Sequence, residues 1–119
     1  MDQLKAEIAR IGKTARWSWQ GWCAAWETEK SIRQWTFVNI VSALLALVLN
    51  LSGGERALIL ALGLLVLAAE LINTALEETI NYISPDQHPL AGKVKDCGSA
   101  VVAVTALAGG VAWLAILVG

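Results

Sequence analysis

Residues 57–77 read ALILALGLLVLAAELINTALE: an unbroken apolar run from Ala57 to Ala69, followed at once by Glu70, Asn73 and Glu77. The run has the character of hydrocarbon-facing helix, though it is shorter than a full span by itself. An ionised carboxylate in hydrocarbon costs at least about 2.5–3.5 kcal/mol, so side chains like Glu70 are kept there for a purpose. At about 100° per residue, positions i, i+3 and i+7 fall within roughly 60° of one another. Glu70, Asn73 and Glu77 therefore share one helix face. Two carboxylates with an amide between them suit a divalent cation or the removal of a proton from a hydroxyl.

The rest of the chain agrees with a membrane setting. Its 119 residues are 56% hydrophobic and 16% charged, and the mean hydropathy is +0.57. A soluble domain this small could not bury so much apolar surface. A net charge of −1 provides no global basic field for nucleic acid. The two cysteines, Cys23 and Cys97, have no zinc-site spacing and are expected as free thiols. The N-terminus is charged and amphipathic, unlike a signal peptide.

Working outward, residues 1–30 predict an amphipathic surface helix. Leu4, Ile8, Ile11, Ala15, Trp19, Trp22 and Trp26 line one side, and Lys5, Lys13, Arg16, Gln20 and Glu27 the other. Residues 34–54 carry no formal charge, and a first span is expected over 35–52. Ser52-Gly53-Gly54-Glu55-Arg56 reads as a tight turn, with the second span over 56–83. Residues 84–89 form a loop, stopped by Pro85 and Pro89. The third span is expected over 97–118, where Ala103, Ala106, Gly109 and Gly110 offer small faces for helix contact. The expectation is one all-α membrane domain over residues 1–119.

The cations set its orientation. Six Lys and Arg residues precede the first span, Arg56 alone lies in the first loop, and Lys93 and Lys95 lie in the second. None follows the third span. This asymmetry places the N-terminus and second loop in the cytoplasm. Trp17, Trp19, Trp22, Trp26 and Trp35 then mark one interface as an aromatic belt, with Trp113 near the other.

Glu29, Glu70, Asn73, Glu77, Lys95 and Asp96 can all approach the cytoplasmic interface. Carboxylates hold hard cations, a lysine neutralises phosphate oxygens, and a carboxylate at headgroup level can accept a proton from a lipid hydroxyl. These are the needs of phosphoryl transfer. Neither a P-loop nor a protein-kinase signature set is present. The residues alone leave open a structural role for Glu70 between spans, and a non-catalytic oligomer such as an ion-conducting or scaffold assembly. Glu78, about 100° around the helix from Glu77, reads as solvated, Lys93 as a headgroup contact, and His88 as a surface residue.

The stretch Glu70-Leu-Ile-Asn73-Thr-Ala-Leu-Glu77 resembles the central motif of the prokaryotic diacylglycerol kinase family, which includes undecaprenol kinases. The likeness continues through Ala91-Gly92-Lys93-Val94-Lys95-Asp96-Cys97-Gly98-Ser99-Ala100. It also takes in Trp19-Gln20-Gly21, Ala24-Ala25-Trp26, Glu29 and Arg33-Gln34. The resemblance implies a homotrimeric inner-membrane kinase with active sites between subunits, transferring the γ-phosphate of MgATP to a lipid hydroxyl. It implies Glu70 as general base and Glu29 and Glu77 as ligands of Mg²⁺. Trp17, Glu29, Glu77, Lys95 and Asp96 would bind the nucleotide. Arg10, Asn73 and Ser99 would position the lipid and the reacting groups. The chain departs from the pattern at Ile80-Asn81, where the family usually has Val-Asp, and at Trp35, where an acidic residue is common. Residues 84–90 look closer to the undecaprenol branch and residues 96–100 to the diacylglycerol branch. The reading leans to diacylglycerol as acceptor. A homologue that has lost its activity is a further alternative, raised by the missing aspartate.

Overall fold

The computed structural model describes residues 1–119, and all of its regular structure is α-helix. The helices are α1 (Asp2–Thr28), α2 (Lys30–Val48), α3 (Gly53–Ile83) and α4 (Pro89–Val118). The last three are long and apolar enough to cross a membrane. At 1.5 Å per residue, α3 and α4 are each roughly 45 Å long and α1 about 40 Å. Three such helices side by side occupy only about 20 Å across. The principal extents are 52 × 47 × 21 Å, so α1 must run across the bundle rather than along it. An amphipathic helix in that attitude can lie in a membrane surface, as its sequence pattern requires.

Each boundary has a local cause. Glu29 is extended, with φ −114° and ψ 111°, and serves both as C-cap of α1 and as N-cap of α2. Its N–H donates to the Ala25 carbonyl at 2.8 Å. The Ser-Gly-Gly-Glu segment expected as a tight turn is instead the first turn of α3. The Glu55 N–H donates to Ser52 Oγ at 3.1 Å, and the Ser52 N–H donates to Glu55 Oε1 at 2.8 Å. This reciprocal pair is a capping box, and it starts the helix at Gly53. His88 caps α4: its Nδ1 accepts from the Leu90 N–H at 3.1 Å, with Pro89 in the first turn. The helix therefore begins well ahead of the apolar stretch at residue 97.

The core is small. Ala46 of α2, Ile59 of α3 and Ala112 of α4 meet in a buried cluster, backed by Leu51, Leu62, Trp113 and Ile116. Trp113 Nε1 donates to Ser42 Oγ at 2.8 Å, tying α4 to α2. Phe37, Leu44, Leu64, Leu107 and Leu114 all face outward. In water these would be an unsatisfied apolar surface; against lipid tails and neighbouring helices they are at home. The close helix approaches fall at Gly63 and Gly98, whose hydrogens face Asn39 and Asn73. Gly109 and Gly110 meet nothing within 4 Å inside the chain.

Candidate active site

Glu70 is the one charged residue the fold buries, at 3% exposure. It lies on α3, just past the apolar run, where the first turn of α2 comes alongside. Ser31 Oγ donates to Glu70 Oε2 at 3.0 Å, the only hydrogen bond this carboxylate makes. A lone, charge-assisted donor holds one oxygen and leaves Oε1 without a protein partner.

One turn further along the same face is Asn73. Its Oδ1 is buried and has no hydrogen-bond partner. Gly98 of α4 lies directly against it: a Cβ at residue 98 would collide with Asn73 Oδ1 and sit 3.4 Å from Leu76 Cδ1. The glycine is what lets α4 pass so near the amide. An orphaned buried acceptor costs free energy, and it calls for a donor or a cation.

The carboxylates around it feel one another. Burial pushes Glu29 above its ordinary value of 4.5, and the charges of Glu77, Glu78 and Glu70 push it further. Glu29 owes this position to the break between α1 and α2, which brings it to the α3 carboxylates. Glu78, read from the sequence as merely solvated, contributes to this field. It also lines a groove of about 600 Å³ between α1 and α3, with Thr28 and Thr74. No three His, Cys, Asp or Glu residues converge closely enough to enclose a metal ion within one chain. The donor chemistry nevertheless fits Mg²⁺: hard oxygens, mutually repelling carboxylates and an unpartnered amide oxygen.

Lys95 approaches α3 from α4, where its Nζ donates to Asn81 Oδ1 at 3.0 Å. The residue at the family's usual aspartate position thus contacts the lysine as a neutral acceptor. Lys95 also lines an open pocket of about 470 Å³ with Ser84, Asp86, His88 and Gly92.

The remaining sequence candidates stand apart from these contacts. Trp17 is 63% exposed. The Arg10 guanidinium is paired with Glu7 at 2.6 Å on the surface of α1. Asp96 and Ser99 are exposed on α4. Sequence reasoning missed Ser31 and Gly98 altogether. Nothing local in the sequence marks Ser31, whose partner lies 39 residues away on another helix.

Comparison with known proteins follows the same lines. The family described as prokaryotic diacylglycerol kinase matches residues 16–117. A Pseudomonas aeruginosa protein named diacylglycerol kinase is 40% identical over 114 residues, covering 94% of this chain and 91% of its own. The Escherichia coli K12 protein of that name is 32% identical over 110 residues, covering 92% and 90%. A Haemophilus influenzae protein of that name is 33% identical over 110 residues, covering 92% and 93%.

Proposed function

This chain belongs to the prokaryotic diacylglycerol kinase family, and on that footing we propose that it transfers the γ-phosphate of ATP to the hydroxyl of diacylglycerol, giving phosphatidic acid and ADP. The observation that carries the reading is Glu70, a buried carboxylate at the end of an apolar span, with one oxygen held and the other free. Glu70 Oε1 takes the proton from the lipid hydroxyl as that oxygen attacks the γ-phosphorus. The bond from the γ-phosphorus to the bridging oxygen breaks, and ADP leaves with the electron pair. Lys95 offsets negative charge on the phosphates. Asn73 orients the reacting groups through its buried amide oxygen. Glu29 and Glu77 would hold Mg²⁺, which when bound neutralises charge between the β- and γ-phosphates.

One chain supplies too few polar groups to surround MgATP. We therefore read the working enzyme as a homotrimer with sites between subunits, where Trp17 and Asp96 join the nucleotide site and Arg10 and Ser99 the lipid site. The distribution of Lys and Arg supports an inner-membrane protein with a cytoplasmic N-terminus.

The test is phosphate transfer from radiolabelled ATP in mixed micelles, with diacylglycerol and undecaprenol supplied separately. Labelled phosphatidic acid is expected, and Glu70→Gln should lower turnover about 10²- to 10⁴-fold while the oligomer stays folded. Labelled undecaprenyl phosphate instead would move the protein to the other branch. No labelled lipid from folded wild-type protein would overturn the kinase reading.

A further inference from the structure

We propose that Ser31 is the positioning residue of the base: its hydroxyl fixes the Glu70 carboxylate so that Oε1, and not Oε2, meets the lipid hydroxyl. This rests on the kinase reading above and deepens it.

The argument begins with how hydroxyls behave elsewhere in the chain. Thr14, Ser18, Thr28, Thr36, Thr79 and Thr105 each donate to the carbonyl four residues earlier in their own helix, at 2.6–3.0 Å. That is the default for a helical hydroxyl. Ser31 does otherwise, donating to a carboxylate 39 residues away on another helix. The cause is the break at Glu29. Were residues 2–48 one helix, the acceptor for Ser31 would be the Glu27 carbonyl. With Glu29 extended, Glu27 belongs to α1 while Ser31 sits in the first turn of α2. The hydroxyl is released from its own backbone and turned onto α3.

The same turn carries the unsatisfied N–H groups of a helix N-terminus, which favours a carboxylate beside it. Glu70 has two flexible torsions beyond its first and, at 3% exposure, little water to hold it. Without Ser31 the carboxylate has no partner in the chain, and both its oxygens are free to rotate. A base that must lie within hydrogen-bond reach of its proton loses rate when its rotamer is not fixed. The break at Glu29 thus serves two ends: it carries a cation ligand to the α3 carboxylates and frees the hydroxyl that orients the base.

The test compares Ser31→Ala and Ser31→Thr with wild type in mixed micelles, varying ATP, lipid and Mg²⁺. For Ser31→Ala, kcat should fall about ten- to a hundredfold, the effect of losing a hydrogen bond to a charged group. Both KM values and the Mg²⁺ dependence should stay within about twofold, because binding is untouched. Ser31→Thr keeps the donor and should recover kcat to within about threefold of wild type. An alanine variant with wild-type kcat overturns the proposal. So does a loss shared equally by Ala and Thr, or one expressed in KM, since those mark a packing or binding role. A shifted Mg²⁺ dependence would mean that Ser31 acts through Glu29, and also overturns it. Failure of wild type to label either lipid would instead sink the kinase reading, and the positioning role with it.

Discussion

The two ends of the bundle treat their polar groups in opposite ways. Where α2 turns into α3, the side chains of Ser52, Glu55 and Arg56 are all bonded within the fold, whereas on α2 itself Asn39 Nδ2 is buried without a partner. Arg56 Nε donates to the Ala46 carbonyl at 2.7 Å and its Nη2 to the Leu49 carbonyl at 3.4 Å, closing the last turn of α2. Ser52 and Glu55 cap α3 reciprocally, and the bond from Trp113 to Ser42 lies at the same end. Where α1 meets α2, the side chains of Glu29, Glu77 and Asp96 make no hydrogen bond or ion pair, and Asn73 Oδ1 is buried unpartnered. Native folds seldom leave buried polar groups unsatisfied. One end is built for itself, and the other is built for something that arrives.

The contrast can be broken most sharply at two glycines. Gly63 lies under Asn39 as Gly98 lies under Asn73: a Cβ at residue 63 would come 2.7 Å from Asn39 Oδ1. Both alanine substitutions displace an amide, at a cost of about 1–3 kcal/mol each. Gly98→Ala should also lower kcat at least about tenfold, since roughly 1 Å of misplacement in a site can cost a hundredfold. Gly63→Ala should melt earlier with kcat retained. Equal losses of activity in the two would erase the distinction between the ends. Arg56→Met, which removes charge-assisted bonds to the last carbonyls of α2, should lower stability by about 1.5–3 kcal/mol in a denaturant titration without changing kcat. Ser52→Ala should do the same on a scale of about 1 kcal/mol.

The smallest effect lies at the other end and has the opposite sign. The pKa of Glu29 is raised in the fold by burial and by Glu77, Glu78 and Glu70. Its contribution to stability is therefore complete below the ordinary value of 4.5 and is lost as pH rises through the elevated folded value. Glu29→Gln should raise the melting temperature of the nucleotide-free protein at neutral pH, with the advantage vanishing below that ordinary value. Solvent screening keeps the gain modest. Mg²⁺ should stabilise the wild type more than the variant. A variant that melts earlier at neutral pH would show that the carboxylates do not repel one another.

The first and third spans were legible because charge-free runs of some twenty residues have few other readings in so small a chain, and the second because its shorter apolar run continues as a helical pattern past Glu70. The face of Glu70, Asn73 and Glu77 was legible because helical periodicity alone sets it. The capping box was also written in Ser52-Gly-Gly-Glu55, but two glycines suggested a turn, and only the reciprocal hydrogen bonds decide for helix. Glu78 is exposed, as its angle from Glu77 predicts, yet its charge still acts on Glu29. Periodicity describes one helix, whereas Glu29 approaches from outside it. Ser31 was beyond reach for a related reason: its partner is 39 residues away, and nothing local announces the crossing. The glycines that matter, Gly63 and Gly98, look no different in sequence from Gly109 and Gly110. What separates them is an asparagine on a neighbouring helix.

The brevity of α2 has a consequence for the bilayer itself. After Arg33 the helix has only residues 34–48 without charge, about 22 Å at 1.5 Å per residue. The hydrocarbon core of a typical membrane is about 30 Å thick. Such hydrophobic mismatch is relieved by thinning the surrounding leaflet or by lysines and arginines stretching to the headgroups. Lys30 and Arg33 stand where the thinning would be felt, one on each side of Ser31 in sequence. Thinning there would draw the headgroup layer down toward Glu70 and, on the kinase reading proposed above, would shorten the distance a lipid alcohol rises to reach it. Turnover in vesicles should accordingly depend on acyl-chain length as a property of the solvent, separate from any preference for the chain being phosphorylated.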